Sequence, residues 1–87
     1  MHEAALLKDL VREIEAVAER ERASAVTCVR VRIGPMSHMT REHFLEHFVD
    51  ATRGTIAEGA HCEVEEIDPK DPLAQSIVLE SLDLTIG

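Results

Sequence analysis

The chain has 87 residues, 45% of them apolar, with two Phe, no Tyr or Trp, and a formal net charge of −8 from nine Lys and Arg against seventeen Asp and Glu. That length holds one domain with a small core, which buries only about 60% of the surface the unfolded chain exposes. The negative charge repels phosphate backbones and anionic lipid, and stacking surface is nearly absent, so nucleic acid and membrane are excluded as partners while cations, metal ions included, are attracted.

Residues 3–21 predict a helix. Ala4, Leu7, Leu10, Val11, Ile14, Val17 and Ala18 recur at three- and four-residue spacing, and the other side carries Lys8, Asp9, Arg12, Glu13, Glu15, Glu19 and Arg20. RERASA has no apolar stripe and ends it. In VTCVRVRIG, residues 26–34, Val29, Val31 and Ile33 alternate with Arg30 and Arg32, the pattern of a half-buried strand. Gly34-Pro35 is turn punctuation, and Thr40 has the place of an N-cap for a second helix over 41–52. The inner face of that helix is expected to hold Phe44, Leu45, Phe48, Val49 and Thr52, with Gly54 as its stop. HCEVEEI, 61–67, predicts a strand. The Asp-Pro pairs of DPKDP, 68–72, require a loop. IVLESLDLTI, 77–86, predicts a last strand with Leu82, Leu84 and Ile86 on one face. The expected fold is α+β, with two helices packed on one face of a small three-stranded mixed sheet in the order α-β-α-β-β. A crossover unit is expected from the first strand, the second helix and the third strand in sequence, and an antiparallel pair from the last two strands; strand order does not follow from the pattern.

No apolar run approaches the ~20 residues that span a bilayer, and the early acids do not form a secretory signal, so a cytoplasmic location is expected. Cys28 and Cys62 are the only cysteines. They are expected as free thiols, and a soft-metal pair would need both on one face of adjacent strands. Cys28 is out of phase with Val29, Val31 and Ile33, whereas Cys62 is in phase with Val64. Arg30 and Arg32 are expected to form a solvated strand face, with docking of an acidic partner as the rival. Glu58, Glu63, Glu65 and Glu66 form an acidic patch suited to protecting a strand edge.

His2 stands one peptide unit from the α-amine. The amine, the amide nitrogen of residue 2 and the imidazole Nδ1 can close five- and six-membered rings on one ion. The Glu3 amide nitrogen completes a planar set of four, a geometry suited to Ni(II) or Cu(II). The competing expectation is an exposed histidine at a frayed terminus. His38, Glu42, His43, Glu46 and His47 form a second cluster. His43 and His47, spaced i, i+4, share a helix face. The cluster is expected as a solvated polar face, with an accessory metal site, or a place where metal is passed on, as the rival. No nucleophile motif, Gly-rich phosphate loop or acid/base pair at a recognisable spacing is present, so a carrier is expected and not an enzyme.

Several motifs then combine. Met1-His2-Glu3 opens the chain, Val29-x-Val31-x-Ile33-Gly34 closes the first strand with Ser37 beyond it, and Phe44 and Phe48 follow. Thr55-x-Ala57-Glu58-Gly59-Ala60 then leads into the strand with Glu65 and Glu66. In order and spacing over about residues 1–67, this resembles the hydrogenase nickel-incorporation (HypA/HybF) family of nickel metallochaperones. The resemblance implies that His2, with Met1 and Glu3, is the nickel site, and that the partners are the large subunit of a nickel enzyme such as [NiFe]-hydrogenase and a maturation GTPase. It also implies a zinc-binding lobe with two CxxC pairs between the last two strands. Here DPKDPLAQS, 68–76, takes that place. The chain is therefore expected to be one nickel-metallochaperone-like domain, 1–87, with Ni(II) as cargo and no structural zinc. The alternative is a metal-independent scaffold or interaction domain derived from the same family.

Overall fold

The computed structural model describes residues 3–34, 40–68, 70–72 and 77–86. Its elements are α1 (Glu3–Arg20), β1 (Ala23–Ile33), α2 (Arg41–Thr52), β2 (His61–Glu66) and β3 (Ile77–Ile86), the order the periodicities predict. The α1 stripe is the buried one: Leu7, Leu10, Val11, Ile14 and Ala18 are all at or below 7% exposure. Leu7, Leu10, Ile14 and Ala18 pack with Val26, Val29, Val31, Ile33, Phe44 and Phe48 into one core between the helices and one face of the sheet.

β1 starts three residues before the predicted strand, because Ala23, Ser24 and Ala25 carry no apolar alternation to announce it. What holds them is the length of β3. Ala23 pairs with Ile86 and Ala25 with Thr85, and the Ser24 hydroxyl donates to the Thr85 carbonyl at 3.1 Å. The turn from α1 into β1 uses only Glu21 and Arg22, with Arg22 in the left-handed region at φ 56°.

The strand order is β2-β1-β3, with β1 parallel to β2 and antiparallel to β3. The expected antiparallel pair of the last two strands is therefore corrected. β1 lies between them, and the crossover runs β1-α2-β2, to the second strand in sequence and not the third, which is antiparallel to β1. β1 suits the centre because Val26, Val29, Val31 and Ile33 are all at most 3% exposed. β2 suits an edge because Glu63, Glu65 and Glu66 discourage pairing with another chain.

Thr40 caps α2 as its position predicts, its side-chain oxygen accepting from the His43 N–H at 3.1 Å. Phe44, Phe48 and Thr52 face inward, and the buried Thr52 hydroxyl donates back to the Phe48 carbonyl at 2.8 Å. Val49 does not join them: it is 58% exposed. At about 100° per residue, it lies ~100° round the helix from the centre of the Phe44–Phe48–Thr52 line, past the edge of the contact. Ile86, in phase with Leu82 and Leu84, is 62% exposed at the end of the sheet, opposite Ala23 where the chain has just left α1.

The Thr55–Ala60 motif is structural. The Thr55 hydroxyl donates to the Thr52 carbonyl at 2.6 Å and accepts from the Ala57 N–H at 3.2 Å. Ala57 is fully buried, and Gly59 takes φ +79°, which an L side chain rarely adopts. Gly54, at φ +81°, stops α2 as expected.

Both helices run opposite to β1. α1 ends two residues before β1 begins. Arg41, at the start of α2, donates from Nη2 to the Val64 carbonyl at 2.8 Å, beside the last residues of β1, whereas the Ile56 carbonyl beyond α2 accepts from Val26 near its beginning. Both helix N-termini, the end of β2 and the start of β3 therefore gather at the C-terminal end of β1.

Candidate metal centre

α1 begins at that end. Met1 and His2 lie outside the described residues. Glu3 begins α1, and its side chain also lies outside what is described. The first N–H groups of a helix have no acceptor within it, so the helix makes no demand on the Glu3 amide.

Of the second cluster, His38 lies outside the described residues. His43 and His47 are both exposed and brought together, Nε2 to Nε2 at 2.7 Å, with ring centroids 4.5 Å apart. Among the described residues, no group of three or more His, Cys, Asp and Glu side chains is placed to hold a metal.

The cysteines do not chelate as a pair. Cys28 is in register with His61 on the face turned away from the helices, its Sγ 3.8 Å from Glu63 Oε2. Cys62 is in register with Val29 and packs against the core from the opposite face. Burial pushes the Cys62 thiol up to about 12, helped by Cys28 and Glu63. Burial also raises Cys28, with Glu63 and Asp83 adding to it and Arg30 opposing. Both thiols are thus poor nucleophiles at neutral pH.

Arg30 is not an open docking residue. Its guanidinium meets Asp83 twice, Nη1 to Oδ1 at 3.0 Å and Nη2 to Oδ2 at 2.9 Å, reaches Ser81 Oγ at 3.4 Å and lies 3.6 Å from Glu63 Oε1. It therefore spans all three strands on the outer face. This arrangement was beyond sequence reasoning, because the partners come from both neighbours and only the register aligns them. The Arg30 hydrogen bond holds the Asp83 carboxyl below the usual carboxylate range, partial desolvation opposing. A depressed carboxyl contributes stability that is complete above its unfolded value of about 3.9 and is lost as pH falls through the folded one. Asp83→Asn is accordingly expected to lower Tm at pH 7 and to flatten the fall in Tm between pH 4 and pH 2.5. Parallel melting curves for the two proteins across that range would show that the bridge contributes nothing.

A groove of about 490 Å³ between α1 and α2, lined by Leu7, Val11, Arg12, His47, Ala51 and Thr55 among others, is the other feature that periodicity alone did not reveal. No helix among the described residues is long and apolar enough to cross a membrane.

A family model described as "Hydrogenase/urease nickel incorporation, metallochaperone, hypA" matches residues 1–71. The chain is 39% identical over 64 residues to the hydrogenase maturation factor HypA of Archaeoglobus fulgidus, covering 74% of this chain and 58% of that one. It is 37% identical over 67 residues to that of Roseiflexus sp. (strain RS-1), covering 77% and 54%. The chain thus spans a little over half the length of these relatives. In fold it is similar to the solution structure of the Ni metallochaperone HypA from Helicobacter pylori, with a TM-score of 0.83, 17% identity and full coverage of both chains. The family description is of a carrier and not of a catalyst, in agreement with the absence of catalytic motifs. With the match spanning residues 1–71, from the start of the chain past the end of β2, this chain belongs to the HypA family.

Proposed function

We propose that the chain is a nickel-binding domain that takes up Ni(II) as cargo at Met1, His2 and Glu3 and delivers it during maturation of a nickel enzyme such as [NiFe]-hydrogenase. The observation that carries this reading is the family match, which begins at residue 1 and includes all three ligands. Electrostatics agree with it. A cation at a helix N-terminus meets the positive end of the helix dipole. A complex in which two amide nitrogens have lost their protons cancels the charge of Ni(II), so the dipole no longer opposes it. Transfer is ligand exchange at an open-edged planar ion, with no bond broken in a substrate. The partners on this reading are the enzyme's large subunit and a maturation GTPase. Nickel titration of protein with a free Met1 amine tests it: one tight equivalent is expected, and no binding would favour the metal-independent scaffold.

The same reading makes zinc dispensable for folding. Segment 68–76 stands where the family resemblance puts a zinc lobe. Its described part closes on itself, Asp68 Oδ1 accepting from the Lys70 N–H at 2.8 Å and the Asp68 carbonyl from Asp71 at 2.9 Å. A strong chelator is expected to leave the circular dichroism and Tm unchanged. A chelator-induced loss of structure would reveal a structural metal.

A further inference from the structure

His43 and His47 sit one turn apart on the exposed side of α2, and the rotation of that helix is set by the burial of Phe44, Phe48 and Thr52. Both side chains bring the same atom to the contact, Nε2 against Nε2 at 2.7 Å. Two imidazole nitrogens bound at ~2.05 Å to adjacent positions of one first-row ion stand about 2.9 Å apart. The observed separation is within a few tenths of an ångström of that bite. Without metal the contact is an N–H···N hydrogen bond, one ring protonated at Nε2 and the other at Nδ1.

We propose that His43 and His47 form a second metal site, an open two-imidazole clip for a borderline divalent ion of the Ni(II), Cu(II) and Zn(II) class, with water completing the coordination. Imidazole ligands select this class over Mg(II) and Ca(II), and a net charge of −8 draws cations to the surface. Two protein ligands hold an ion loosely, as a waypoint requires. α2 begins at the same end of the fold as α1, so the clip neighbours the end at which α1 begins. The clip stands on the α2 geometry alone; its use as a waypoint for nickel rests on the terminal site proposed above.

The test uses NiCl2 and ZnCl2 in calorimetric titrations of four full-length proteins: native, N-terminally extended by one residue, His47→Gln, and extended His47→Gln. Extension removes the terminal chelate, and His47 is exposed, so its replacement leaves the core intact. The native protein is expected to take two equivalents of nickel, the second weaker. The extended protein should keep the weaker one and gain Tm with added metal. Extended His47→Gln should bind at least 10-fold more weakly than its parent, about 1.4 kcal/mol, and show no Tm gain. Absence of binding to the extended protein, or binding that survives His47→Gln undiminished, overturns the clip. If native and extended proteins bind alike and both lose that equivalent with His47→Gln, the clip stands and the terminal site falls.

Discussion

His2→Ala is expected to abolish the tight nickel equivalent, weakening it by roughly 100-fold or more, about 2.7 kcal/mol. One residue placed before Met1 should do the same. The α-amine and the His2 imidazole close adjoining rings on one ion, so losing either opens the chelate. The two changes should therefore be nearly equal and should not add, because each destroys the same site. His43→Gln with His47→Gln should leave this tight equivalent within a few-fold of its parent value. Neither terminal change should move Tm in the absence of metal. Binding should also weaken below about pH 6.5, where an ordinary imidazole begins to keep its own proton and amide deprotonation becomes harder.

The largest expected effect on stability comes from Phe44→Ala. Phe44 is fully buried, stacked on Phe48 with centroids 6.0 Å apart. Truncating it should cost about 3–5 kcal/mol through lost burial and the cavity left behind. A domain of this size commonly has only ~4–13 kcal/mol in total, and Tm should fall by at least ~12 °C. Val49→Ala on the same helix should stay within about 0.5 kcal/mol of the parent, since Val49 is 58% exposed. Thermal melts of the two variants decide the assignment, because apolar composition alone put both side chains inside. Similar losses would mean that α2 is rotated toward Val49.

The elements were legible because their signals are local. Three- and four-residue spacing marked α1, alternation marked most of β1, and Thr40 and Gly54 bounded α2. The phase of each cysteine was readable, but whether the two share a face was not, because that needs the strand pairing; the register supplies it and sets them on opposite faces. Pairing was not legible. Nothing in β2 or β3 alone says that β1 stands between them, and the small residues Ala23–Ala25 hid the start of the central strand. Val49 was misplaced for a related reason: an apolar side chain is inside only where another element covers it. The Arg30–Asp83–Glu63 bridge depended on the same missing register. The proposed terminal metal site is the opposite case. Its chelating logic is contained in the first three residues, and its weight comes from the family they open. The convergence of His43 and His47 was half visible: their spacing shares a helix face, but only rotamers turn Nε2 toward Nε2.

The most direct measurement is the absorption spectrum and magnetic state of nickel bound to protein with a free Met1 amine, set beside the N-terminally extended protein. A planar four-nitrogen site makes the native complex yellow and diamagnetic, and the extended protein should lack that band. An ion shared with water in six-coordinate geometry would be nearly colourless and paramagnetic. That spectrum for the native protein, or equally tight nickel binding by the extended one, would contradict a site built on Met1, His2 and Glu3.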